Sequence, residues 1–463
     1  MSVSETPRPA GALTADPAAR IALSSNLDLF CLFDKGDGDG AFGPRHLVIL
    51  GWRLTGQLDL DALQGALDDV VIRHEMLRTT VVRGDADPYQ KVRPPTPARL
   101  EVIDLPEDDA RPRDERVDDF VNEIEATTLS ADELPHLRAV VGRLDERDSV
   151  LVLVTHHIAS DGWSLHVIIS DLAIFYAARR GFGTPRLPPM RQYQDYAVWQ
   201  KGVLASAASD ASRGYWRQKL RGAEMLDIRA DRRMSPEAIA VYSVHRFLID
   251  QELTSATLNF ARAMRSSPFM VLLSAFNALL HQMTGATDLV SATITSGRVD
   301  PSFNETVGPF FNLLPLRTDL SGCRNFIELV RRIRETCLEA YAHELPYGEI
   351  VAQAPELTRT YERDDGAVCA FQLLQYPGMT EPETVGDLRY AEVRERTKSS
   401  PRTSDIPNGV LWGLDILPSG EIGGTMRFNS QQFDEATMVR MVDDFRGVLR
   451  RSLADPSSPL PAL

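Results

Sequence analysis

Apolar positions along this chain recur in two rhythms. From Asp59, which can cap a helix, Leu60, Leu63, Leu67, Val70 and Val71 follow at three- and four-residue steps that place them on one buried stripe. The same spacing predicts helices over about Arg113 to Thr127, Trp163 to Arg180, around Tyr193 to Trp199 and Tyr215 to Leu220, Phe269 to Met283, Asn325 to Ala342 and Asp434 to Leu453. Shorter apolar runs read as strands: His46 to Leu54 alternates in places, Ser149 to Thr155 is a Val and Leu run suited to burial on both faces, and Leu289 to Thr295 is rich in Val and Thr. Gly181, just past the basic end of one helix, is a stop signal. Gly183, Pro185, Pro188 and Pro189 then interrupt regular structure. At 463 residues the chain exceeds one ordinary core. It is read as two lobes, residues 1–182 and 183–463.

Composition narrows the partners. The chain carries 50 Lys and Arg against 65 Asp and Glu, a net charge of -15, which argues against nucleic acid or an anionic membrane surface. Met1 to Ser25 lacks the apolar core of a secretory signal, and the longest apolar stretches fall short of the ~18–20 residues that cross a bilayer. A cytoplasmic location without a membrane span is expected. Cys31, Cys323, Cys337 and Cys369 form no Cys-x-x-Cys pair, so they are expected to be reduced structural thiols.

The candidate chemistry gathers in one place. No Gly-x-Ser-x-Gly elbow supports a serine nucleophile, and the loop Gly36 to Gly40 lacks the ligand spacing of a calcium hand. Asn304-Glu305-Thr306 is a chance glycosylation match in such a chain. By contrast, His156-His157-Ile158-Ala159-Ser160-Asp161-Gly162 lies between a predicted buried strand and a predicted helix. Adjacent side chains on an extended backbone point to opposite sides, so one metal ion would rarely collect both imidazoles. Division of labour fits better: one imidazole faces inward as a hydrogen-bonding support, the other faces a cavity as a base, and Asp161 fixes the turn.

This segment resembles the His-His-x-x-x-Asp-Gly motif of the condensation domains of nonribosomal peptide synthetases, relatives of chloramphenicol acetyltransferase. Collinear matches support it. They begin with Arg73-His74-Glu75-Met76-Leu77-Arg78-Thr79 and continue through Tyr193 to Trp199, Tyr215-Trp216, Gly297-Arg298, Val307 to Arg317, His343-x-x-Pro346-Tyr347 and Phe433-Asp434. The resemblance implies an α/β (α+β) fold of two acetyltransferase-like lobes in a V-shaped pseudo-dimer with a central tunnel. It places the principal catalytic role on His157, a structural role on His156 and a salt bridge between Asp161 and Arg298.

It further implies that the donor is an acyl or aminoacyl thioester on the phosphopantetheine arm of a peptidyl carrier protein, and that the acceptor is the amine or hydroxyl of a separate small molecule. No cofactor of its own and no metal are expected. An imidazole with an ordinary pKa near ~6.5 is largely neutral at cytoplasmic pH and able to take a proton, while the Gly162 amide, at a helix start, can help hold a tetrahedral oxyanion.

Two segments depart from the family pattern. Leu23-Ser24-Ser25-Asn26-Leu27 has Leu where a Gln is usual, and Thr403 to Gly409 replaces a Lys-Phe-Asp segment. With no adenylation, carrier or thioesterase region in the sequence, the chain resembles a free-standing member. Arg179 and Arg180 are a candidate carrier-docking patch. The alternatives are an epimerisation-type domain, which the Gly308 to Asn312 segment disfavours, a carrier-independent acyltransferase, and a noncatalytic recruitment module.

Overall fold

The computed structural model describes residues 20–84, 87–106, 110–235, 238–374, 382–406 and 409–460. Most of the Pro-rich start (residues 1–19), and Pro407 and Asn408 of the departing segment, lie outside the described residues.

Two sheets organise the chain. In the first, the order across the sheet is Glu383–Val385, Leu388–Glu392, Leu47–Thr55, Asp148–His156, Leu137–Asp145 and Arg99–Asp104. The Val and Leu run is buried on both faces. Val150, Val152 and Val154 pack with Phe120 and Val121 of the helix Arg113–Glu125, whereas Leu151 and Leu153 pack with the helices Leu60–Arg73 and Gly162–Arg179. Each such aliphatic side chain contributes about 1.5–3 kcal/mol by leaving water. Asp59 caps the first of these helices, its carboxylate accepting the Ala62 N–H at 2.9 Å. Gly181 follows the end of Gly162–Arg179 with φ of +83°, a conformation that a side chain would strain.

The second sheet runs in the order Asn312–Asp319, Asp288–Thr295, Gly366–Leu374, Val410–Ile416, Ile422–Asn429 and Tyr242–Ile249, with Asp227–Arg229 paired beside Gly366 to Val368. Its central helix, Pro268–Thr284, starts where Ser267 accepts the Met270 N–H and ends at Gly285, φ +73°. Phe276 from this helix stacks on Phe371 of the sheet, 4.6 Å between ring centres. The chain is therefore an α/β (α+β) protein built as two sheet-centred lobes. Among the links that tie them, Leu388–Glu392, late in the chain, pairs with Trp52 to Thr55 of the first sheet, and residues 396–398 beyond it contact the helix Arg113–Glu125.

Some elements escape the apolar rhythm. The helix expected at Tyr215 to Leu220 begins at Ala207, because Ser206 caps it and its first turn, Ala207 to Asp210, is small and polar with no stripe to reveal it. Among the described residues no single helix is long and apolar enough to cross a membrane.

Candidate active site

The strand Asp148–His156 delivers the two histidines, and their surroundings differ as an extended backbone requires. His156 is fully buried; its Nε2–H donates to the Gly43 carbonyl at 3.0 Å, and its Nδ1 accepts the Ile158 N–H at 3.2 Å. Both nitrogens are thus spent on backbone. His157 is only partly buried, and its Nδ1–H donates to the Ser160 carbonyl at 2.7 Å. A carbonyl can only accept, so the proton sits on Nδ1 and Nε2 carries the free lone pair. Burial pushes the His157 pKa down to about 4, the Arg427 cation on the strand Ile422–Asn429 adds to this, and the Ser160 contact opposes it. The imidazole is therefore neutral at pH 7.

Asp161 ends the turn and starts the next helix. Its Oδ1 accepts from the Ser164 N–H and Oγ–H, both at 2.7 Å, and Oδ2 accepts the Phe310 N–H at 3.1 Å. Arg298 Nη2 donates to the same carboxylate at 3.2 Å, and its Nη1 donates to the carbonyls of Phe303 and Thr306 at 2.7 and 2.9 Å. With side chains only 1% and 7% exposed, Arg298 and Asp161 form a buried, hydrogen-bonded pair across the lobes. Close packing explains the glycines beside it. A Cβ on Gly297, whose φ is +63°, would lie 1.7 Å from the Phe310 carbonyl oxygen, and one on Gly308 would lie 2.1 Å from the Tyr193 ring. Gly162 is the first residue of the helix, so its amide belongs to the turn whose N–H groups lack helical partners.

Further residues at the site are not singled out by the sequence. His46 lies with its ring 4.7 Å from that of His157, and Phe311, within the matched Val307 to Arg317 segment, covers His157 at 4.5 Å. Asn26, from the departing N-terminal segment, donates through Nδ2 to the Pro309 and Phe311 carbonyls at 2.8 and 2.5 Å. It supports the Phe310-Phe311 wall. A cavity of about 210 Å³ lies behind that wall, between Asn26, Trp199, Phe310, Asn312 and Glu344; His157 does not line it. Among the described residues no group of three or more His, Cys, Asp and Glu is placed to hold a metal ion.

The two arginines considered for docking have partners within the chain. Arg179 Nε donates to Asp69 at 2.8 Å, and Arg180 reaches Tyr176 at 2.9 Å and Asp387 at 3.3 Å. They brace the helix end against its neighbours, which weakens them as a free patch.

A model of the condensation domain family matches residues 48–463. One component of the linear gramicidin synthase of Brevibacillus parabrevis is 31% identical over 421 residues, 89% of this chain but only 8% of that protein. The chain is therefore similar to one segment of a much longer synthetase. The crystal structure of SgcC5 protein from Streptomyces globisporus, in complex with (R)-(-)-1-(2-naphthyl)-1,2-ethanediol and sucrose, is 41% identical, covering 95% of this chain and all of that one, with a TM-score of 0.91. The X-domain from teicoplanin biosynthesis, 24% identical with a TM-score of 0.79 over 100% of this chain and 99% of that chain, shares the fold.

Proposed function

The chain belongs to the condensation domain family, and from that premise we propose that it joins a carrier-bound acyl or aminoacyl group to the hydroxyl or amine of a separate small molecule. The observation that carries this reading is the state of His157: Nδ1–H is committed to the Ser160 carbonyl, and Nε2 is left as the basic atom of a neutral imidazole. As the acceptor oxygen or nitrogen bonds to the thioester carbonyl carbon, its proton passes to Nε2. The tetrahedral oxyanion then collapses, the carbon–sulfur bond breaks, and the proton is returned to the departing phosphopantetheine thiolate. No acyl-enzyme is needed. The Gly162 amide is assigned to the oxyanion, and His156, Asp161 and Arg298 to holding the turn.

A hydroxyl acceptor is the finer reading. A neutral amine attacks without first losing a proton and sheds it readily from the ammonium adduct, whereas an alcohol needs its proton removed as it attacks, so a dedicated base at Nε2 matters most for ester formation. The aryl-ethanediol bound in the SgcC5 structure supports a hydroxyl acceptor for a chain 41% identical to it. The donor in this proposal is carried on a peptidyl carrier protein.

The test compares turnover of one acyl group presented on a carrier protein and on a short pantetheine mimic, with aryl-1,2-diols and their amino-alcohol analogues as acceptors. A clear preference for the carrier-bound thioester, with ester product from the diol, is expected. Equal efficiency for both donors would point instead to a carrier-independent acyltransferase.

A further inference from the structure

His46 stands next to the strand Leu47–Thr55, outside the motif, yet it touches the base twice. Its carbonyl accepts the His157 backbone N–H at 2.9 Å, and its ring lies over the His157 ring at 4.7 Å, tilted by 38°. Phe311 lies against the same imidazole at 4.5 Å, tilted by 51°. The base is thus packed against two rings, one from each lobe.

The His46 ring is itself fixed. Its Nδ1–H donates to the Ala41 carbonyl at 3.0 Å, Phe30 meets it edge-on at 5.5 Å, and His156 meets it edge-on at 6.2 Å. Its Nε2 is buried and has no hydrogen-bond partner among the described residues. The Ala41 bond sets the rotation of the ring, so His46 presents its face to His157 at a fixed angle, beside the one imidazole whose lone pair the reaction uses.

We propose that His46 is a positioning residue for His157: its carbonyl fixes the backbone, its ring fixes the plane of the base, and together with Phe311 it keeps water away from the imidazole. This rests on the reading of His157 as the base. The groups facing His157 are His46 and His156 from the first lobe, the Ser160 carbonyl within the turn, and the Arg427 cation from the second lobe; Asp161 is turned to Arg298. Burial holds His157 at about 4 and His46 at about 3, so both rings are neutral between pH 5 and 8.

The experiment follows the histidine Cε1–H resonances of the unliganded full-length chain across pH, with the His157 signal assigned by its loss in His157→Gln. The wild-type midpoint should lie well below the ordinary ~6.5. His46→Ala admits water to one face and should raise the midpoint by about one pH unit or more, while His46→Phe keeps the cover and should hold it near wild type. In acyl transfer, His46→Ala should lower kcat about tenfold with KM within about twofold, and His46→Phe should recover most of the loss. A wild-type midpoint near ~6.5, or an unchanged midpoint in folded His46→Ala, would overturn the proposal. If His46→Ala does not fold, His46→Asn, which also uncovers the ring, is read by the same criterion. The titration uses no substrate, so its outcome is separable from that of the acyl-transfer assay.

Discussion

Two buried charge clusters join the lobes, and they do so differently. Beneath the active-site turn, Arg298 meets the single carboxylate of Asp161 and donates through Nη1 to two carbonyls and through Nη2 also to Ser164. On the opposite face of the first sheet, Arg246 and Arg396 share Glu125: Arg246 Nη2 donates at 2.7 Å and Arg396 Nη1 at 2.5 Å, while Asp118 and Asn122 take the other guanidinium groups. One cluster pins the residue four positions after the base. The other clamps a helix to a strand and a crossing segment, and the Arg427 cation acts on both its Glu125 and His157. The same interaction type therefore holds the turn of the candidate site in one place and joins secondary-structure elements in the other.

The largest loss is expected at the first cluster. Arg298→Ala leaves the Asp161 carboxylate buried without its cation, which should cost roughly 3–5 kcal/mol and also lower acyl transfer at least about tenfold, because the turn that orients His157 loosens. Denaturant melts and single-turnover rates on the same protein check both halves. Loss of stability with an unaltered rate would remove the pair from the active site.

At the second cluster, Glu125→Gln should cost a similar few kcal/mol while the rate of the folded variant stays within about threefold of wild type. Acid sensitivity separates the two clusters further. Burial alone would raise the Glu125 pKa, but the Arg396, Arg246 and Arg427 cations hold it at about 2, below the ordinary carboxylate value. A depressed carboxylate contributes stability that is complete above the unfolded-state value near ~4.3 and is lost as pH falls toward the folded one. Wild type should therefore lose stability steeply from about pH 5 to 2, and Glu125→Gln should show a shallower acid slope over that window. Equal slopes would mean that Glu125 is not held by the arginines.

What was legible in the sequence follows the same division. The buried strand, the capped helix at Asp59 and the turn between strand and helix were readable because local apolar spacing and cap chemistry determine them. Asp161 and Arg298 were readable through motifs that bring two distant positions together. The Glu125 cluster was not, since Asp118, Asn122 and Glu125 lie on one helix face in a spacing that ordinarily marks a solvated surface, and their partners are more than 100 residues away. His46 was hidden for a related reason: it lies just before a neighbouring strand, and only the pairing of Leu47 with His156 brings it to the base.

The smallest effect is expected where a charge pair is exposed. Arg179 and Asp69 are 42% and 28% exposed, so Arg179→Ala should cost no more than about 1 kcal/mol and leave carrier-dependent turnover nearly unchanged. A drop in turnover that salt also produces in wild type would return this helix end to consideration as a docking surface.

Everything assigned to the site turns on His157 acting as the base, and single-turnover acyl transfer from a carrier-bound thioester by His157→Ala probes that role without intermediaries. A loss of roughly 10²–10⁴-fold is expected in a variant that still folds cooperatively, its unfolding temperature lowered only by the lost ring contacts with His46 and Phe311. A folded His157→Ala protein working within about threefold of the wild-type rate would show that the proton goes elsewhere.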